Sequence, residues 1–144
     1  MLELLVVVAI LALLAGISAG AMRQFSNLRV LDAAKADVTV LLVEAREKTL
    51  SSQNRMAYGV HFASTSVTLF SGGAYMVSDP SNKVVTLHSR ALIATTTLAG
   101  GGSNVFFKRL TGETDEVGEV IIVLKSNEAA STTVTINKTG VAGL

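Results

Sequence analysis

Hydrophobic and polar positions divide the chain into three segments with different patterns. Between Leu4 and Met22 the only polar side chain is that of Ser18. A helix of this length would span about 28 Å, which is close to the hydrocarbon thickness of a bilayer. The first pattern therefore predicts a membrane-length apolar helix at residues 1–22, headed by the single carboxylate of Glu3.

Beyond this segment, apolar and small residues continue at helical spacing. Their steps of three and four trace one face of a helix, and they are Phe25, Leu28, Leu31, Ala34, Val38, Leu41, Leu42 and Ala45. Glu44 and Lys48 have the spacing and order of a favourable ion pair, and no proline occurs before Pro80. The pattern predicts one helix of about 50 residues, with an amphipathic continuation at residues 23–53.

After Gln53 the spacing changes to that of β-strands. Runs rich in Val, Ile, Thr and aromatic residues alternate with turn-forming residues; the runs are residues 57–63, 66–72, 83–88, 104–110, 119–125 and 131–137. The last run alternates threonine with apolar residues, which is typical of a strand in an antiparallel sheet with one solvent-exposed face. The predicted fold class is α+β, in which the long N-terminal helix packs on a small, mostly antiparallel β domain at residues 54–144.

A secretory signal peptide is the main alternative for the first segment, because the small residues at 19–21 resemble a cleavage site. However, no basic residue precedes the apolar run, and Glu3 stands where positive charge is expected. The run also exceeds the roughly 7 to 15 apolar residues that are usual in a signal peptide. We therefore expect the helix to be retained in the mature protein.

Charge and cysteine content exclude several classes of function. The 144 residues include 12 basic and 11 acidic ones, so a net charge of +1 provides no field that would collect nucleic acid. The chain has no cysteine and therefore forms neither disulfides nor thiolate metal sites. Composition alone identifies no partner.

Residues with catalytic or metal-binding chemistry are scattered along the sequence. His61 and His88 lie in or near strand-like runs without a second ligand at metal spacing. The acidic run at residues 112–119 could hold calcium, but it lacks EF-hand spacing, and a solvated turn is the better interpretation. No motif of a serine nucleophile is present. We expect neither an enzyme nor a cofactor or metal site.

Two parts of the sequence resemble one protein family. The run "LELLVVVAILALLAG" at residues 2–16 resembles the N-terminus of type IV pilins and type II secretion pseudopilins, in which a glutamate precedes an unbroken apolar helix. Residues 104–144 are similar to the C-terminal half of the H-type pseudopilin and FimT-like minor pilin group. There an aromatic strand, a Thr-Gly turn, an apolar strand and a Thr/Ile strand recur. The resemblance implies the pilin fold.

The resemblance also implies a role for Glu3. In that family the corresponding glutamate pairs with the methylated N-terminal amine of a neighbouring subunit and sets the axial offset between helices. Such a pair attracts strongly at low dielectric, whereas a charge left unpaired there costs several kcal/mol. Family members carry about two residues more before this glutamate, so we expect the recorded sequence to begin inside the mature N-terminus.

The rest of the apolar segment acquires two roles from the same resemblance. Its large side chains would form the filament core, and they are Leu4, Leu5, Val6, Val7, Val8, Ile10, Leu11, Leu13, Leu14 and Ile17. Gly16 and Gly20 form a small-xxx-small pair that permits close helix packing. Because each glycine costs about 1 kcal/mol relative to alanine, the pair could instead mark a place where the helix melts during assembly. Both interpretations remain open.

The predicted function is that of a structural subunit of a type IV pilus or pilus-like filament, serving attachment, motility, DNA uptake or secretion. The implied partners are further copies of the chain, the pilus or secretion assembly machinery and prepilin peptidase. The implied locations are the bacterial cytoplasmic membrane before assembly, then a surface filament or periplasmic pseudopilus. Nucleic acid binding by the subunit has little support, since only Lys125 and Lys138 are basic near the C-terminus.

Two alternatives to a surface pilus subunit remain. One is a monotopic, membrane-anchored binding domain that never polymerises, and the other is a pseudopilin of a type II secretion system. The anchor would tolerate any apolar helix of sufficient length, whereas polymerisation requires this particular helix surface, including Glu3.

Overall fold

The computed structural model describes the backbone of residues 2–143 and the side chains of the same range except those of residues 14–21 and 23. Helix α1 spans Leu2–Leu50, and a short 3-10 helix follows at Gln53–Arg55. The strands are β1 (Tyr58–Phe62), β2 (Ser66–Ser71), β3 (Lys83–Thr86), β4 (Ala91–Leu98), β5 (Asn104–Phe106), β6 (Gly118–Leu124), β7 (Asn127–Ile136) and β8 (Ala142–Gly143).

The strands form two antiparallel sheets of four strands each. The first sheet has the order β3-β2-β1-β5, and the second has the order β4-β6-β7-β8. The chain therefore leaves the first sheet after β3, forms β4 in the second, returns for β5 and then completes the second sheet. Neither sheet is built from one continuous stretch of sequence.

The second half of α1 packs on both sheets. It contacts β1 and β2 of the first sheet and β6 and β7 of the second. Its buried apolar side chains recur at helical spacing, and they are Val30, Leu31, Ala34, Val38, Leu41, Leu42 and Ala45. They belong to one hydrophobic cluster with inward-facing strand residues such as Val60, Val120 and Val134. The predicted amphipathic face is therefore confirmed from Leu31 onward, whereas Phe25 and Leu28 are exposed.

The predicted fold class, the pilin fold with a long helix on one small β domain, is wrong. The β part consists of two four-stranded antiparallel sheets, between which the chain alternates. Among the described helix residues, buried side chains occur only from Val30 to Thr49, so about 20 residues of α1 pack on the sheets. The described residues contain no helix that meets the length and apolarity needed to cross a membrane.

The error has a physical origin in the strands. The six predicted runs contain β1, β2, β3 and β5 and overlap most of β6 and the second half of β7, but β4 and β8 were missed. Runs of β-residues carry no information on which sheet each strand joins, because sheet membership depends on contacts distant in sequence. With β4 missing, nothing in the predicted runs indicated that the chain alternates between two sheets.

Candidate functional site: the N-terminal helix

Apart from Glu3, the first three turns of α1 carry only apolar side chains, which surround the helix axis and are exposed. Their large side chains have exposed fractions from 49% at Val6 to 77% at Leu2. The exposed set is Leu2, Leu4, Leu5, Val6, Val7, Val8, Ile10, Leu11 and Leu13. We call residues 2–13 the apolar helix segment. A helix that is apolar all round is normally enclosed by other helices or by lipid, and enclosing this one would gain on the order of 10 kcal/mol.

Most predicted filament-core residues belong to this segment. Eight of them have described side chains, all exposed, and they are Leu4, Leu5, Val6, Val7, Val8, Ile10, Leu11 and Leu13. Leu14, Ile17, Gly16 and Gly20 lie outside the residues whose side chains the structure describes. The two interpretations of the glycine pair therefore stay predictions.

Glu3 lies in the first turn of α1 and is exposed. Among the described residues, no basic side chain pairs with it. Its position near the positive end of the helix dipole stabilises its negative charge. Its neighbours Leu2 and Leu4 are 77% and 69% exposed, so the carboxylate is accessible to a group outside this chain.

Three basic residues, one on α1 and two on turns of the β domain that meet beside it, lie just after the apolar run. Arg90, in the connection between β3 and β4, donates from Nη2 to Ser26 Oγ at 2.9 Å and from Nη1 to Asn27 Oδ1 at 3.3 Å. The backbone N–H of Lys125, in the turn between β6 and β7, donates to the carbonyl oxygen of Arg90 at 2.9 Å. Arg29 lies on α1 itself. We call Arg29, Arg90 and Lys125 the basic collar.

Sequence reasoning missed the basic collar as a unit. Arg90 and Ser26 are 64 residues apart, and Lys125 reaches the same place through the pairing of β4 with β6. No local pattern around any of these residues marks the group. The positive charges that follow the apolar run in the sequence were the only available signal.

Several side chains of the acidic run at residues 112–119 have partners within the fold. Glu116 Oε2 accepts hydrogen bonds from the Phe106 backbone N–H at 3.1 Å and from Thr114 Oγ1 at 2.8 Å. Asp115 pairs with Lys108 at 2.6 Å, and this hydrogen bond raises the pKa of the Lys108 ammonium. In the part of the chain that is described, no group of three or more His, Cys, Asp or Glu residues could hold a metal ion.

The two histidines also have local partners. The ring of His61 stacks on Tyr75 with centroids 3.9 Å apart, and its Nδ1 lies 2.7 Å from Asn104 Oδ1. This contact joins the loop after β2 to the outer face of the first sheet. The Nδ1 of His88 accepts a hydrogen bond from the backbone N–H of Arg90 at 3.2 Å. Both imidazole rings therefore take part in hydrogen bonds within the fold.

Glu44 connects α1 with the edge of the first sheet. Its carboxylate contacts Lys83 on β3 at 2.6 Å and Lys48 on α1 at 2.9 Å. The hydrogen bond from Lys83, followed by that from Lys48, lowers the pKa of Glu44 below its ordinary value of 4.5. The predicted pair between Glu44 and Lys48 is therefore confirmed.

No family model matches this chain, and no curated protein or solved structure matches it.

Proposed function

We propose that this chain is a structural subunit of a pilus-like filament and that it polymerises through its N-terminal helix. The observation that carries the proposal is the exposure of the apolar helix segment on every face. One groove on one partner would cover only one side of such a helix. Several copies packed side by side would enclose it completely, and each copy would supply an identical apolar surface.

The charge of Glu3 supports enclosure of the apolar helix segment by other copies of the same chain. A carboxylate within an apolar bundle is costly unless a cation reaches it. A neighbouring copy shifted along the filament axis would bring its N-terminal amine to the same depth. Subunits at any other offset would leave the charge unpaired, so Glu3 would select one offset while the leucine and valine side chains supply most of the association energy.

The resemblance of residues 2–16 and 104–144 to pilins and pseudopilins supports the same function. The resemblance implies that the subunit resides in the cytoplasmic membrane before assembly and is processed by prepilin peptidase. An assembly machinery then adds it to the filament. The two-sheet domain would then face outward. Attachment, motility, DNA uptake and secretion are the roles that such filaments serve.

The decisive experiment is electron microscopy of filaments sheared from the source cells, with the subunit identified by mass spectrometry of the intact chain. Cells carrying Glu3→Ala are compared with cells carrying Glu128→Ala, which removes an exposed carboxylate near the start of β7. We expect filaments built of this chain in the native strain and in the Glu128 variant, and absent or disordered filaments in the Glu3 variant.

A second variant separates polymerisation from anchoring. Residues 4–22 are replaced by an unrelated leucine-rich helix of equal length, which would still hold a simple anchor in a membrane. Loss of filaments with retention in the membrane fraction supports the proposal. Absence of this chain from every filament of the native strain would contradict it and would favour the anchored binding domain.

A further inference from the structure

We propose that the basic collar is a docking surface for an anionic lipid surface, and this inference rests on the membrane stage of the proposed function. The collar consists of Arg29, Arg90 and Lys125, which come from three separate parts of the chain. It lies next to the position where the apolar run ends at Met22. If residues 2–22 are embedded in lipid, Ser26 and Arg29 follow Met22 by about 6 and 10 Å along the helix axis, and the collar would be at the level of the phosphate groups.

The hydrogen bonds of Arg90 fix one side of the collar. Its guanidinium contacts two helix side chains, Ser26 Oγ at 2.9 Å and Asn27 Oδ1 at 3.3 Å. These bonds hold the charge of a loop residue against α1 while the residue stays exposed. Neither partner is acidic, so the positive charge of Arg90 is not neutralised by them.

Lys125 is held at the same end of the second sheet. Its backbone N–H donates to the carbonyl oxygen of Arg90 at 2.9 Å, and the neighbouring strand positions Ala91 and Leu124 are paired. The side chain of Lys125 is exposed. The start of β4 and the end of β6 therefore bring the backbones of two exposed basic residues within hydrogen-bond distance.

The helix surface between the charges is apolar and open. Met22 is 73% exposed and Phe25 is 66% exposed. One shallow depression is lined by Met22, Ser26, Asn27, Arg90 and Ser126. A second is lined by Met22, Phe25, Ser26 and Arg29, so Arg29 and Arg90 flank the same stretch of helix. Exposed apolar and aromatic side chains among basic ones are typical of a protein surface at the lipid interface.

The charge of this region favours an anionic partner. The acidic residues near the collar are Asp32, one turn after Arg29 on α1, and Glu128, three residues after Lys125. None of the collar side chains forms an ion pair with an acidic group among the described residues. Anionic lipids attract such exposed basic side chains, with about a fivefold gain in binding for each.

The test measures partition of the full chain into vesicles by flotation, after dilution from a neutral detergent. One vesicle preparation contains phosphatidylcholine alone, and the other is an equimolar mixture of phosphatidylcholine and phosphatidylglycerol. We expect native protein to prefer the anionic vesicles. The triple variant Arg29→Gln, Arg90→Gln, Lys125→Gln should lose on the order of 100-fold in binding to them, while its binding to neutral vesicles is unchanged.

Two control variants test whether a loss of binding to anionic vesicles comes from the charge at the collar, from the total charge of the protein or from a disturbed fold. The variant Arg55→Gln, Arg109→Gln, Lys138→Gln removes the same charge from exposed residues. These residues lie near the other end of α1. There Arg46, about 30 Å along the helix from Ser26, donates hydrogen bonds to the carbonyl oxygens of Gly112 and Thr139. The variant Arg29→Lys, Arg90→Lys keeps the charge but not the guanidinium geometry. Both should retain the preference for anionic vesicles.

The outcomes distinguish this inference from the proposed function. Equal partition of native protein into both vesicle types overturns the collar inference and leaves insertion of the apolar helix intact. An equal loss in the distant variant also overturns it, because total charge then explains the preference. Failure to bind either vesicle type removes the membrane stage and the collar inference with it, whereas the filament micrographs test polymerisation independently.

Discussion

The hydroxyl oxygen of Thr49 accepts a hydrogen bond from the backbone N–H of Tyr58 at 2.9 Å. The same hydroxyl donates to the carbonyl oxygen of Ala45 at 2.8 Å, and the side chain has no exposed surface. The last turn of α1 is thereby joined to the first residue of β1 across a connection in which Ser52, Asn54 and Arg55 have positive φ. One buried hydroxyl fixes where the helix ends relative to the first sheet.

Replacing Thr49 by valine should destabilise the fold. The change keeps the shape of the side chain but leaves the buried N–H of Tyr58 without its acceptor, which costs about 1–3 kcal/mol. The free energy of unfolding of the full chain, measured by urea titration in neutral detergent, checks this. Thr49→Ser keeps the hydroxyl and should lose less. A valine variant as stable as the native protein would contradict the assigned role of the hydrogen bond.

Gly118→Ala should destabilise the second sheet. A Cβ atom at this position would lie 1.9 Å from the carbonyl oxygen of Thr97 on β4, and a backbone atom within a sheet moves only at a cost of roughly 1–3 kcal/mol. Gly73→Ala is the matched control, because nothing lies within 4 Å of its added Cβ. Thermal unfolding of the two variants should differ clearly, and equal midpoints would show that the β4–β6 pairing is looser than described.

Truncation of two leucines on the same helix should have different effects on the free energy of unfolding. Leu42 is 1% exposed and lies in the core, so Leu42→Ala should cost about 2–5 kcal/mol of unfolding free energy. Leu11 is 60% exposed, so Leu11→Ala should leave that free energy unchanged within about 0.5 kcal/mol. Under the proposed function, Leu11→Ala should nevertheless reduce the yield of filaments. A large loss of stability from Leu11→Ala would mean that the apolar segment packs within its own chain.

The ion pair of Glu44 with Lys83 should make stability fall in acid. Because the pKa of Glu44 is lowered in the folded state, its contribution is complete above the ordinary value of 4.5 and disappears as the pH falls below it. Lys83 is 52% exposed, so the contribution is under about 1 kcal/mol. Lys83→Met should therefore be less stable than the native protein at neutral pH and equally stable near pH 2. Urea midpoints across this range check the expectation.

The matched control for this pH series is Lys138→Met. Lys138 is exposed and forms no ion pair among the described residues, so its replacement should leave the pH profile unchanged. If the stability difference of Lys83→Met persisted undiminished in acid, the lost contact would be apolar packing by the lysine stem and not an interaction with ionised Glu44.

The sequence predicted the elements better than their arrangement. Helical spacing identified the buried face from Leu31 to Ala45, because a helix face is determined by neighbours three and four residues away. The strand runs were equally local. The alternation of the chain between two sheets was not predictable in this way, since β5 pairs with β1 across about 45 residues of sequence.

Only part of the candidate site was predicted, because a sequence pattern shows residues that are close together in the chain. Glu3 and the apolar side chains that follow are adjacent in sequence, so their pattern was visible at once. Arg90 and Lys125 join α1 only through the folded second sheet, so the basic collar had no sequence signature. The run Ala91–Leu98 did carry a strand signal in its β-branched residues, but it was not among the predicted strand runs.

The return of the chain to the first sheet has a consequence for synthesis. On the ribosome, β1, β2 and β3 emerge well before β5, whose residues 104–106 form the strand beside β1. Until then the nascent chain presents an open edge at β1, next to the buried side chains of Val60 and Phe62. Such an edge is a template for pairing with other chains. Translation that pauses between β4 and β5 should therefore be the step at which this protein is most exposed to aggregation.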